Sequence, residues 1–290
     1  MQLNQWRAQG QFFEITLNNS VYQIFYNHID NQHDKTIVFM HGFPSSSHDY
    51  CLLVPELSKH YNLLFIDFLG FGFSDKPVEH DYSLFEQADI VESLIASLEL
   101  KDFYWVSHDM GNSVTLELLK RNSLSISKLA LLNGSVLLKY YQPILSQRVL
   151  LHPIGGPILN KLLSMFAAPI FKQQFGSVFA LKPTADEMED FWQAVNDKNG
   201  FRIYYRLIRY LRERMVHEND WFAALKASSD IPLTVIWGQL DPVSVPKIAE
   251  AICEARPDAS YKPLNEIGHY PQWESPDLVV EALLDHFNRD

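Results

Sequence analysis

The stretch that most constrains the fold is Ser107-His108-Asp109-Met110-Gly111. An apolar, aromatic run, Phe103-Tyr104-Trp105-Val106, leads in, and a helical run from Val114 to Lys120 leads out. A strand that becomes a helix across so tight a turn brings the side chains two positions either side of its apex into collision. Ser107 and Gly111 are small enough to fit there. The apex residue takes a positive φ, which Asp tolerates better than most residues. The new helix aims its first N–H groups at any charge that develops beside Asp109. Alone, these residues read equally as a small-residue turn with an Asp helix cap. The rest of the chain has to decide.

Around this turn, short apolar strands alternate with helices. Phe12 to Leu17 and Val21 to Tyr26 read as an opening hairpin across Asn18-Asn19-Ser20. Thr36 to Met40 and Asn62 to Ile66 are continuously apolar, as in a sheet buried on both faces. The first runs into His41-Gly42-Phe43-Pro44, with a helix expected from about Ser47 to His60. The second ends at Asp67 and a glycine-punctuated loop. Ser83-Leu84-Phe85-Glu86 has the form of a capping box. Leu129 to Leu132 is the strand after the turn, ending at Asn133-Gly134. From 136 to 225 the patterns are helical, broken at Pro143, Pro153, Pro157, Pro169 and Pro183. Alternation resumes with Leu233 to Trp237, then Asp241-Pro242, a helix near Lys247 to Ala255, a strand near Ser260 to Leu264, His269, and a C-terminal helix. The expected organisation is therefore an α/β core over 1–135 and 226–290, interrupted by a helical cap over 136–225. Its sheet is mostly parallel, eight-stranded, with helices on both faces. Ligands on such sheets sit beyond the C-terminal strand ends. Asp109, Asp241, His269 and the His41-Gly42-Phe43 loop all follow strands and collect on that edge.

Composition narrows the partners. With 47% hydrophobic residues in 290, a large core is available, and a net charge of −11 argues against nucleic acid or an anionic membrane surface. Cys51 and Cys253 read as free thiols of a reducing compartment, one long-range disulfide being the alternative. No apolar run reaches membrane-spanning or signal-peptide length, so a cytoplasmic protein is expected. No His, Cys and Asp cluster has metal-ligand spacing, and Gly70-Phe71-Gly72 lacks the third glycine of a dinucleotide loop. No metal or organic cofactor is expected. Oligomeric state is not written in the sequence.

The order Asp109, Asp241, His269 matches the nucleophile, acid, histidine order of one fold. The chain resembles the α/β-hydrolases of the aspartate-nucleophile branch, which includes epoxide hydrolases and haloalkane dehalogenases. The pieces that carry this are Asp67 to Pro77, Tyr82 to Gln87, Ser107 to Gly111, Leu131 to Ser135, Leu240 to Val243 and His269 to Gln272. The likeness spans nearly the whole chain and is weakest in the inserted helices.

The resemblance implies a chemistry that the residues can carry. A carboxylate is ionised at neutral pH and needs no base to act as a nucleophile. Asp109 is expected to attack a saturated carbon and form an alkyl ester. His269 would take a proton from the water that hydrolyses it, and Asp241 would orient His269. Asn133 occupies the other acid position and cannot carry the charge. The N–H groups of Phe43 and Met110 are expected to form an oxyanion hole. His41, Tyr210 and Tyr141 are expected at the substrate, Tyr210 as proton donor to a leaving alkoxide. Packing is the commoner use of tyrosines in an aromatic helix. Haloalkane dehalogenases usually place Trp after the nucleophile, and many place Asn after the His-Gly. Met110 and Phe43 stand there instead, and Met110 also departs from the Trp common in epoxide hydrolases. The expectation is an epoxide hydrolase acting on a small apolar molecule. Dehalogenation, or ligand binding without catalysis, are the alternatives.

Overall fold

The computed structural model describes residues 1–134, 136–143, 145–152, 155–163 and 166–289. Two of the sequence features, Ser135 and the break at Pro153, lie outside the described residues. Strands β1 (Gln11–Leu17) and β2 (Ser20–Ile29) form the opening hairpin, with Leu17 paired to Ser20. Asn18 and Asn19 both hold positive φ, 48° and 63°, the signature of a two-residue turn that follows strand twist. β3 (Thr36–Met40), β4 (Asn62–Ile66) and β5 (Phe103–Ser107) are buried at every position. Their unbroken apolar runs have two faces to bury and find helices on both. With β6 (Ile126–Leu132), β7 (Leu233–Gly238) and β8 (Ser260–Leu264) the sheet runs β1-β2-β4-β3-β5-β6-β7-β8. The β1/β2 and β2/β4 pairings are antiparallel and the other five are parallel.

In the core, α1 (Leu3–Gln9), α2 (Val54–Leu57), α3 (Leu84–Ser97) and α4 (Met110–Arg121) precede the insertion. Between β6 and β7 come α5 (Leu145–Leu150), α6 (Gly155–Leu163), α7 (Ala167–Phe175), α8 (Ala185–Asn196), α9 (Tyr204–Leu207) and α10 (Tyr210–Ala227). After β7 come α11 (Pro246–Ala255), α12 (Pro271–Glu274) and α13 (Pro276–Phe287). Pro157 and Pro169 sit in the first turns of α6 and α7, where a missing N–H costs no intrahelical bond. α10 packs along α4 and is tied to the core by buried bonds. Arg214 Nη1 donates to Ser113 Oγ at 2.7 Å, and Trp221 Nε1 to Glu117 Oε2 at 2.7 Å.

Three local expectations change. The helix expected over 47–60 is a 3-10 turn, Ser47–Tyr50, followed by the four-residue α2, because Asp67 captures the Ser47 N–H at 2.8 Å and anchors that end of the turn. α1 was not legible: seven residues hold it, with Trp6 buried against Phe65. The capping box at Ser83 is half made. Ser83 Oγ accepts from Phe85 N–H, but Glu86 turns to His80. The Leu84 N–H instead meets Glu213 of α10 at 2.7 Å.

Candidate active site

Asp109 sits at the turn with φ 47° and ψ −113°. The turn is held from both sides. Its N–H donates to Asn133 O at 2.8 Å, and His108 N–H to Met40 O at 3.0 Å. The steric demand on the small residues is real. A Cβ on Gly111 would lie 2.6 Å from the carbonyl oxygens of Met40 and His41, and one on Gly42 would lie 2.4 Å from Asp109 Cβ. Ser107 donates to Asn112 Oδ1 at 2.7 Å, and Asn112 Nδ2 donates to Leu132 O at 2.8 Å, so the turn is also stitched to β6.

The two oxygens of Asp109 have different surroundings. Oδ1 accepts the Phe43 N–H at 2.8 Å, and Oδ2 lies 3.7 Å from His269 Nε2. Met110 is the first residue of α4, where an N–H has no partner within the helix. His269 Nδ1 is 2.6 Å from Asp241 Oδ2. Asp241 is itself fixed: Oδ1 accepts from Val243 N–H at 2.8 Å and Ser244 N–H at 2.9 Å, and Oδ2 accepts from Asn133 Nδ2 at 2.8 Å.

Asn133 was set aside on sequence for lacking a charge, yet its amide has another task. Besides holding Asp241, it takes the Gly238 N–H on Oδ1 at 2.7 Å and donates to Gly238 O at 3.2 Å. It welds the ends of β6 and β7 under the acid. Glu274 is a second residue that sequence reasoning missed. Oε2 accepts from Gly268, Ala180 and Leu181 N–H groups, each at 2.9 Å, and Oε1 from Tyr270 N–H at 3.0 Å. One carboxylate thus fastens the His269 loop to the inserted helices, helped by His269 N–H on Val178 O at 3.0 Å. The only sequence signal was an acid five residues after a histidine.

Burial works against charge on all three residues, and their mutual attraction overcomes it. For His269 the charge of Asp241, the bonds to Asp109 and Asp241 and the charge of Asp109 outweigh burial and push the imidazole up to about 10. Asp109 and Asp241 stay below the usual carboxylate range despite their burial, chiefly because of His269. The resting set is two carboxylates around one imidazolium. His108 is the opposite case. Burial first, then the charge on His269, push it down to about 3, so it is neutral. Its Nε2–H donates to the His269 carbonyl at 2.8 Å, bracing the loop from beneath.

A cavity of about 40 Å³ opens beside these groups. Phe43, Pro44, Asp109, His269 and Tyr270 form its core wall, and Gln147, Gln174, Phe175, Val178 and Tyr204 its wall of inserted helices. The expected substrate residues fall elsewhere. His41 is fully buried and does not line the cavity: Nδ1–H donates to Gly42 O at 2.8 Å and Nε2 accepts from Phe68 N–H at 3.1 Å. It shapes the oxyanion loop, so the expectation that it meets substrate is corrected. Tyr210 is buried behind Phe43, ring centroids 6.2 Å apart, outside the cavity wall. The wall tyrosine is Tyr204, 4.9 Å from Phe43, whose hydroxyl has no hydrogen-bond partner among the described residues. Tyr204 opens α9 and Tyr210 opens α10, so the two tyrosines belong to different helices. Tyr141 stands one layer out, donating to Gln147 Oε1 at 2.8 Å. Burial and the charge of Asp109 push its phenol up.

Comparison with known proteins places this arrangement. The family model described as alpha/beta hydrolase fold matches residues 35–276. The chain is 34% identical over 302 residues to the mouse mesoderm-specific transcript protein, covering 99% of this chain and 88% of the relative. It is 38% identical over 256 residues to the Mycobacterium tuberculosis protein named hydrolase LipZ, covering 86% and 87%. Among solved structures, the epoxide hydrolase CorEH superposes with a TM-score of 0.76 at 18% identity, covering 96% and 98% of the two chains. The Bradyrhizobium elkanii haloalkane dehalogenase DbeA-M1 superposes at 0.77 and 19%, covering 95% of each. At such identities the structures speak for the fold alone.

Proposed function

The chain belongs to the alpha/beta hydrolase fold family, and from that premise we propose that it hydrolyses epoxides to diols through a covalent ester on Asp109. The observation that carries this reading is the split environment of one carboxylate. Oδ1 is held by the Phe43 N–H, and Oδ2 faces His269 Nε2 across 3.7 Å. An Asp at the turn needs no deprotonation, and its freer oxygen attacks in line.

In the first step Oδ2 bonds to a ring carbon, the carbon–oxygen bond opens, and the oxygen takes a proton. Tyr204 donates a hydrogen bond to that oxygen from the cap wall. Burial pushes its phenol upward, so it is protonated at neutral pH. In the second step His269 takes a proton from water, and the hydroxide adds to Cγ of Asp109. The oxyanion forms on Oδ1, against the N–H groups of Phe43 and Met110, and collapses; His269 returns its proton to the departing alkoxide, which leaves as the diol, and the carboxylic proton left on Asp109 restores the donor phenol. The imidazole must be neutral to act here. Forming the ester removes the charge of Asp109 and its bond to His269, two of the contributions that hold the ring protonated. The intermediate therefore releases its own base.

An alkyl halide would form the same ester, but no tryptophan lines the cavity among the described residues to hold the departing halide, which favours the epoxide. The narrow cavity, with Phe43, Leu150, Phe175, Val178 and Val243 among its lining, supports a small substrate with an apolar part. We assign residues 136–225 the role of cap, and place the reaction in the cytoplasm. Both cysteines are free, and no helix among the described residues is long and apolar enough to cross a membrane.

The test is intact mass of the His269→Gln variant after incubation with a panel of epoxides and alkyl halides. A gain equal to a whole epoxide, abolished by adding Asp109→Ala, is expected. A gain equal to an alkyl group less one hydrogen, from halides alone, would replace epoxide hydrolysis with dehalogenation. No adduct from folded protein across the panel would sink the covalent reading.

A further inference from the structure

The core wall holds a third phenol that the mechanism above leaves unused. Tyr270 lines the same cavity as Asp109 and is fully buried, its ring stacked on Phe179 at 4.7 Å and 10°. Its hydroxyl lies 3.3 Å from Ser45 Oγ and 3.5 Å from the carbonyl of Phe43, the residue whose N–H holds Asp109. Ser45 Oγ is in turn 2.5 Å from Asp49 Oδ2. Asp49 is a carboxyl group with no exposed surface, and its Oδ1 has no hydrogen-bond partner. Its carboxyl takes bonds from the Ser45 hydroxyl and the Ser46 N–H, but among the described residues no lysine or arginine pairs with it, and a buried carboxylate without a cation is costly to keep.

We propose that Asp49, Ser45 and Tyr270 form a proton relay from the core to the oxygen that leaves the substrate carbon, with Tyr270 as a catalytic acid. This rests on the epoxide reading. As Asp109 Oδ2 bonds to the ring carbon, the electron pair of the broken carbon–oxygen bond stays on oxygen. That oxygen takes the Tyr270 phenol proton, with Tyr204 across the cavity serving as a hydrogen-bond donor to it and not as the proton source. The phenolate takes the hydroxyl proton of Ser45, and Ser45 takes the carboxyl proton of Asp49, which becomes a carboxylate. In the second half of the cycle His269 takes one proton from water. As the Cγ–O bond breaks, His269 returns that proton to the departing alkoxide, and the carboxylic proton left on Asp109 passes through the cavity to restore the relay, so the sum is epoxide plus water to diol.

Burial agrees with this direction of flow. It holds the Asp49 carboxyl well above the ordinary carboxylate range, against the bonds from Ser45 and Ser46 and with the charges of Asp67 and Asp109 reinforcing it. The relay takes Asp49 in its protonated form, the form that burial favours. Burial, then the charge of Asp109, also raise the Tyr270 phenol, which stays a donor. Tyr204 and Tyr270 lie near enough to interact, one from the inserted helices and one from the core, and both line the cavity.

The relay serves ring opening and not ester hydrolysis, and that split is its test. Single-turnover quench measures both steps in the wild-type chain, Tyr270→Phe, Ser45→Ala and Asp49→Asn. Tyr270→Phe keeps the ring and its stack. It is expected to slow ester formation roughly 10- to 100-fold while leaving the rate of ester hydrolysis within about twofold. Ser45→Ala and Asp49→Asn should slow the same step by less. Equal slowing of both steps would mean that Tyr270 only positions its neighbour His269, and would overturn the relay. Unchanged ester formation in Tyr270→Phe would overturn it as well while leaving the Asp109 mechanism standing. No ester with any epoxide in the His269→Gln chain would remove the hydrolase reading and the relay together.

Discussion

The two walls of the cavity secure their polar atoms in different ways. On the core side nearly every one is tied to backbone. Phe43 N–H fixes Asp109, Val243 and Ser244 N–H groups fix Asp241, and Glu274 gathers four N–H groups around the His269 loop. On the cap side the wall is mostly rings. Tyr204 leans on Phe43 and Phe201, and Phe175 on Phe171 and Tyr270, with Gln147 and Gln174 among them. Backbone-anchored groups hold a geometry to fractions of an ångström, as bond making requires. Packed rings define a shape and a dielectric. In this reading the core decides which chemistry is possible, and the cap decides which molecule receives it.

The largest effect that would test this division is at Asp109. Asp109→Ala should leave the fold intact and lower turnover on the order of 10⁴-fold or more, measured on any substrate the mass experiment identifies. The same substitution should move His269. Its imidazole is raised to about 10 with help from the charge of Asp109, so removing that carboxylate must lower it, as NMR titration would record. Unmoved His269 would show that the two side chains are not coupled.

Next comes the cap. Tyr204→Phe should slow ring opening roughly 10- to 100-fold, whereas Tyr210→Phe, behind Phe43, should cost far less. The reverse order would break the contrast drawn between wall and second layer. A smaller effect is expected at Asn133. Asn133→Ala leaves Gly238 N–H and Asp241 Oδ2 without their partner, and should lower stability by about 1–3 kcal/mol in urea unfolding and turnover roughly 10-fold. Activity falling with no loss of stability would place Asn133 in the chemistry rather than beneath it.

The gentlest test is pH. A raised histidine is protonated below its pKa, so the base is absent in the resting protein until pH approaches about 10. Forming the ester takes away the contributions of Asp109, so the ring titrates lower in the intermediate. Ester hydrolysis should therefore rise with pH and level off below about 10 in single-turnover measurements. A plateau reached only at that value would show that Asp109 contributes nothing to holding the proton.

What was legible in the sequence follows from distance along the chain. The turn at Asp109 was legible from five residues, although the clash that excludes a side chain at Gly111 is with the carbonyls of Met40 and His41 at the end of the neighbouring strand and not with Ser107. Alternating strands and helices fix a parallel sheet, and the sheet puts Asp109, Asp241 and His269 on one edge whatever surrounds them. The partners of each side chain were not legible. Asn133 meets Gly238 only because β6 and β7 pair in the register Leu132 to Ile236. His41 looked like a substrate residue because its loop is, yet its ring turns inward to Gly42 and Phe68. Tyr210 was expected at the substrate, but it packs behind Phe43, and the cavity is lined by Tyr204. By itself the sequence determined the fold and the order of the reacting groups, since short-range sterics and hydrophobic pattern suffice for both. The tertiary structure alone decided which tyrosine lines the cavity and which amide holds Asp241. Those depend on contacts between residues far apart in the chain, and only the packed whole brings them within a hydrogen bond.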